Sequence, residues 1–104
     1  MSDDKDWKLK LKFGEISTDH SHFTLTAPGI VDELVEGFEC RKGKAIIAMK
    51  IWAEDIDEAV SMVSNISTHI GFKIDGNIEV YDTEPSIPPK QNSHAYDIQF
   101  TPYD

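Results

Sequence analysis

Cysteine is nearly missing from this chain: Cys40 stands alone among 104 residues. An intrachain disulfide is therefore excluded, and so is a zinc site built from four thiolates. Long apolar runs are also lacking, and none approaches the roughly 20 residues that a membrane-crossing helix requires. The opening MSDDKDWKLK is charged and has no apolar segment of the kind a secretory signal carries. No glycine-rich phosphate loop, Gly-x-Ser-x-Gly elbow or HExxH zinc helix occurs. Basic residues are few, 10 against 19 acidic ones, which leaves a net charge of −9. Such a surface repels a phosphate backbone, so nucleic acid is not an expected partner. These absences lead to the expectation of a cytoplasmic, non-enzymatic domain with no cofactor and no membrane contact.

What is present fits one globular domain over 1–104. A chain of this length buries roughly two thirds of its extended surface, and 39% apolar residues is an ordinary supply for a core. The acidic charge has two readings. It keeps small proteins apart in solution, and it draws in a basic partner such as a nuclease or a nucleic-acid-binding protein.

The first pattern is WKLKLKF, where Trp7, Leu9, Leu11 and Phe13 alternate with three lysines. It predicts a half-buried strand with a wet basic face, suited to a sheet edge. FTLTA predicts a second strand, which Ala27-Pro28-Gly29 then punctuates. In IVDELVEG the pairs Ile30/Leu34 and Val31/Val35 have helical spacing, whereas Leu34, Phe38 and Cys40 fit one face of a strand. The expectation is a short helical turn, then a strand over 35–40. After the RKGK turn, the nearly continuous apolar run KAIIAMKIW predicts an interior strand.

The period then changes. Ile56, Ala59, Val60, Val63, Ile66 and Ile70 form one helical stripe over 55–70. Asp55 and Glu58 have the spacing of a capping box, and Gly71 is placed to close the helix. GFKIDGNIEVY predicts a hairpin whose three-residue loop pairs Ile74 with Ile78 and Phe72 with Val80. Beyond a proline-containing loop at about 82–94, AYDIQF predicts a last strand with Tyr96 on the apolar face of Ile98 and Phe100. The sum is an α+β domain: an antiparallel or mixed sheet of about five to six strands with one main helix on one face. A ferredoxin-like sandwich is one arrangement of this kind, an analogy that carries no activity.

Four stretches have side chains suited to chemistry. In DHSH, His20, His22 and Asp19 match two histidines and a carboxylate of a metal site, with His69 or His94 as a further ligand. The stretch reads first as a polar connection whose histidines are solvated, with metal binding as the runner-up. Cys40, beside Arg41 and Lys42, has the cations that activate a thiolate but no surrounding signature. Glu54, Asp55, Asp57 and Glu58 are explained by capping and the helix dipole. The C-terminal stretch joins tyrosines, carboxylates and a stiff proline loop, a composition that suits a protein interface. Its candidate binding residues are Tyr81, Asp82, Glu84, His94 and Tyr103. The leading functional expectation is protein–protein contact, through self-association or with a separate partner. An inhibitor or immunity-type protein that neutralises a basic partner is its specific version, and a metal-dependent or ligand-binding protein using His20 and His22 is the alternative.

Overall fold

A computed structural model describes residues 18–103. Its centre is a pair of long antiparallel strands, β1 (Ser21–Val31) and β2 (Gly43–Ala53), in register from Ser21 opposite Ala53 to Val31 opposite Gly43. Alternation sets which side is buried. Phe23, Leu25, Ala27 and Val31 of β1 and Ala45, Ile47, Met49, Ile51 and Ala53 of β2 form the core. The helix α1 (Ile56–Ile70) lies over that face and adds Ala59, Val63 and Ile70.

The helix begins and ends as its residue types require. The Asp55 carboxylate accepts the Glu58 N–H at 2.8 Å. Glu58 reaches back to the Glu54 N–H, also at 2.8 Å, one residue further than a capping box reaches. Gly71 follows with φ of 100° and donates to the carbonyls of Ser67 and Thr68. Ile56, counted into the apolar stripe by spacing, is 53% exposed at the first turn.

Three expectations are corrected here. The first concerns GFKIDGNIEVY, which forms no hairpin. Its halves, β3 (Phe72–Ile74) and β4 (Glu79–Asp82), both pair antiparallel with β1, as one interrupted edge strand. Pro28 explains the interruption. Its carbonyl accepts the Asp75 N–H at 3.0 Å, so the side on which it lacks a donor faces this edge. There the chain steps outward over 75–78, with Gly76 against the proline ring, where a Cβ would come within 2.5 Å of Pro28 Cγ. Pro28 therefore sits inside β1 rather than ending it.

The second correction concerns 32–42, which contains neither a helical turn nor a strand. This segment is tied to the end of α1 by Asp32 N–H to Gly71 O at 3.1 Å and Val35 N–H to Ile70 O at 3.0 Å. Leu34, Phe38 and Cys40 pack on the rim of the core, and the Phe38 ring meets Phe100 edge-on. Their spacing reflects a cover over the core, not a strand face.

The third correction concerns β5 (His94–Pro102), which is a strand beside β2, as AYDIQF predicts, but not a regular one. Lys50 stands opposite Tyr96 and Ala48 opposite Gln99, so Asp97 and Ile98 together oppose Met49. Asp97 takes φ of 54° at this bulge. The extra residue reverses the alternation. Ile98 and Phe100 face the helix, while Tyr96 lies with Lys50 on the opposite face. The result is a five-stranded antiparallel sheet with one helix packed on it, an α+β fold. Among the described residues no helix is long and apolar enough to cross a membrane. The WKLKLKF strand expectation lies outside the described residues.

Candidate functional site

The sheet face turned away from α1 is polar, and residues 83–93 cross part of it. Four elements supply the cluster beneath them: His22 and Thr24 from β1, Lys50 and Trp52 from β2, Tyr96 and His94 from β5, and Thr83 just past β4. His22 is central and only 7% exposed. Its Nδ1 lies 3.0 Å from both the carbonyl oxygen and the hydroxyl of Thr83. A carbonyl only accepts, so Nδ1 carries the proton, and the Nε2 lone pair takes the Tyr96 O–H at 2.6 Å. Burial is the main reason the imidazole titrates below its ordinary value of 6.5. The bond to the Thr83 backbone opposes that shift, while Lys50 and His94 add to it.

Tyr96 carries the network on to the crossing loop. Its oxygen accepts the Ser86 N–H at 3.0 Å and lies 3.3 Å from the Ser86 hydroxyl. Lys50 donates to Ser86 Oγ at 3.2 Å and pairs with Asp97 at 3.1 Å. A Gln99 N–H first and Lys50 second hold the Asp97 carboxyl below its usual range. The Trp52 N–H donates to the Ile87 carbonyl at 3.0 Å, and its ring meets His22 edge-on.

A second surface lies where β2 passes into α1. Glu54, Asp55, Asp57 and Asp82 surround Phe23 and the exposed Ile56 in a shallow groove. An adjoining groove shares Glu54 and adds Asp19, His20 and Glu58. Ser93 donates its hydroxyl to Glu58, and this bond, ahead of the Glu54 N–H and the charge of His20, holds that carboxyl below its ordinary value. The acidic surface is thereby continuous around the start of the helix.

The residues singled out by sequence divide among these places. Asp82 is in the acidic groove. Tyr81 is exposed at the β4 edge and donates to Glu79 at 2.6 Å, which raises its hydroxyl above the ordinary value. Tyr103 is exposed past the end of β5, at the opposite edge of the sheet. Glu84 is exposed in the crossing loop. His94 is half-buried, with Nδ1 donating to the Asn92 carbonyl at 3.1 Å and Nε2 buried without a partner among the described residues. The five form no single patch.

His20 and His22 diverge as well. His20 bonds Thr18 and lines the acidic groove with Asp19, whereas both ring nitrogens of His22 are engaged beneath the loop. Among the described residues no group of three or more His, Cys, Asp and Glu is placed to hold a metal ion. Cys40 is half-buried on the core rim. Sequence reasoning missed Lys50, Trp52, Ser86 and the role of Tyr96. The available signals were a lysine and a tryptophan on alternate positions of an apolar strand, which mark one polar face. Comparison of the chain with protein-family models, with curated proteins and with solved structures finds no match.

Proposed function

We propose that this protein is a cytoplasmic, non-enzymatic domain that docks onto a basic protein partner through the acidic end of its sheet. The observation that carries this reading is the ring of carboxylates, Asp19, Glu54, Asp55, Asp57, Glu58 and Asp82, beside an isoleucine that is 53% exposed. An apolar anchor inside a charged rim is the usual anatomy of a contact surface. A net charge of −9 steers a cationic partner towards it and speeds association. Neutralisation of a basic toxin or nuclease by an inhibitor or immunity-type protein is the specific form of this function. The test is a pull-down from the native lysate at low salt with wild type and the double variant Glu54→Lys/Asp57→Lys. A basic protein held by wild type and lost by the variant supports the reading. No retained protein ends it.

Self-association is the second reading. It is supported by Ile46, 39% exposed beside Pro28 on the part of the sheet face that the loop leaves open. Light scattering on wild type and Ile46→Lys decides it, because a dimer that buries Ile46 falls apart in the variant and a monomeric wild type removes the idea.

A further inference from the structure

The loop of residues 83–93 is fastened to the sheet through groups that converge on one imidazole. His22 donates from Nδ1 to the Thr83 carbonyl at 3.0 Å and accepts the Tyr96 hydroxyl at Nε2. That hydroxyl oxygen receives the Ser86 N–H, and Ser86 Oγ receives Lys50. One residue further on, the Ile87 carbonyl receives the Trp52 N–H. The loop, the imidazole, the phenol and the indole thus form one hydrogen-bonded unit. It closes over Trp52, which is 2% exposed.

We propose that His22 is a proton-operated latch, which holds the 83–93 loop over Trp52 while neutral and releases it when protonated.

The groups around the imidazole decide the direction. Lys50 from β2 and His94 from β5 face it, and both oppose a positive charge there. From β5 the other titratable group is Tyr96, whose hydroxyl is bonded to it. Asp97 on the same strand is already bound to Lys50. From the loop side and from β1 come the neutral hydroxyls of Thr83 and Thr24, which lie 2.8 Å apart. A proton taken from water adds at Nε2, where the lone pair now accepts the Tyr96 O–H. The phenol must then turn its hydrogen away, towards Ser86 Oγ at 3.3 Å. The resulting imidazolium is buried and faces the Lys50 ammonium, and the nearest route to water is to lift the loop. Unlatching uncovers Trp52 and Tyr96, while the far end of the loop is held to the acidic groove by the Ser93 hydroxyl on Glu58.

The experiment uses a Trp7→Phe background, so that fluorescence reports Trp52 alone, and the pH is lowered from 8 to 5. Hydrogen exchange of the loop amides and an NMR titration of His22 are recorded over the same range. The expected result is a red shift of Trp52 emission below pH 6.5, the ordinary histidine value. Loop opening, after correction for intrinsic exchange, rises several-fold as His22 takes up its proton, because the open form binds that proton more tightly. In His22→Gln both signals stay flat. A loop that stays closed while His22 titrates overturns the latch. So does a loop that opens while His22 is still neutral, or with the same midpoint in His22→Gln. If that variant does not fold, the wild-type comparison of His22 titration with loop opening decides alone.

Discussion

At the scale of single residues, two positions show how little freedom the backbone leaves. Gly71 combines a φ of 100° with a neighbour so close that an added Cβ would lie 2.0 Å from the Glu33 carbonyl oxygen. Gly71→Ala therefore incurs both left-handed strain and displacement of the 32–35 segment that covers the core. The expected loss is about 3 kcal/mol or more, read as a lower urea midpoint at unchanged slope. Ser67 is the converse case. It is fully buried on the helix face, and its hydroxyl has no partner among the described residues. Ser67→Ala removes a desolvated, unpaired group and improves helix propensity, so the midpoint rises by the equivalent of about 0.5–1 kcal/mol. A loss of stability in Ser67→Ala would show that the hydroxyl has a partner after all.

Elements differ in how openly the sequence declares them. The helix was legible because every determinant is local: a 3.6-residue stripe, Asp55 and Glu58 at one end, Gly71 at the other. KAIIAMKIW was legible for the same reason. The failures lie in what is not local: a pairing partner, a bulge, and a segment of 32–42 that covers the core without being a strand. Phe72 to Val80 keeps its apolar side chains together in a hairpin, but pairing with β1 does so as well and occupies the edge that Pro28 can serve only with a gap. The β5 bulge depends on one aspartate at positive φ, and nothing in YDIQF marks it. Because it reverses the strand, it also hid the polar cluster, whose members come from four separate segments.

That cluster has consequences measurable on the elements it joins. Tyr96→Phe leaves the His22 Nε2 lone pair and the Ser86 N–H without a partner. Stability falls by about 1–3 kcal/mol, and hydrogen exchange in 83–93 accelerates more than in α1. The pH dependence follows from His22. The folded imidazole holds its proton less tightly than the unfolded one, so acid favours the unfolded chain. Stability is complete above about pH 6.5 and declines as pH falls through that value towards the folded midpoint. Asp97 and Glu58 act in a different window. Their folded values are depressed, so their contribution is lost only at lower pH, beneath the ordinary carboxylate values of 3.8 and 4.5. Urea denaturation at pH 7.5 and 5.5 therefore separates the histidine window from the carboxylate one, and His22→Gln should reduce the difference between the two.

On the scale of the whole molecule, charge is the property the sequence states most directly, but not its distribution. A net charge of −9 says nothing about where it gathers; the turn from β2 into α1 gathers it by bringing Asp19 and Asp82 beside the acidic start of the helix. If a basic partner binds there, its affinity falls as salt is added, because exposed charges are screened within roughly 10 Å at 0.1 M salt. Calorimetry across a salt series checks this, and a salt-independent affinity would place the contact elsewhere.

The gap in the edge strand has a further consequence, for tolerance of altered chain length. β3 and β4 each find their own register against β1, so the sheet does not count the residues between them. Insertion of four residues after Asn77, doubling the 75–78 step, should cost only about 0.6 kcal/mol of closure entropy. The same insertion within β2 would reverse no face but would push half of the central strand out of register with β1 and β5. Thermal melts of the two insertion variants distinguish a seam in the chain from a continuous strand.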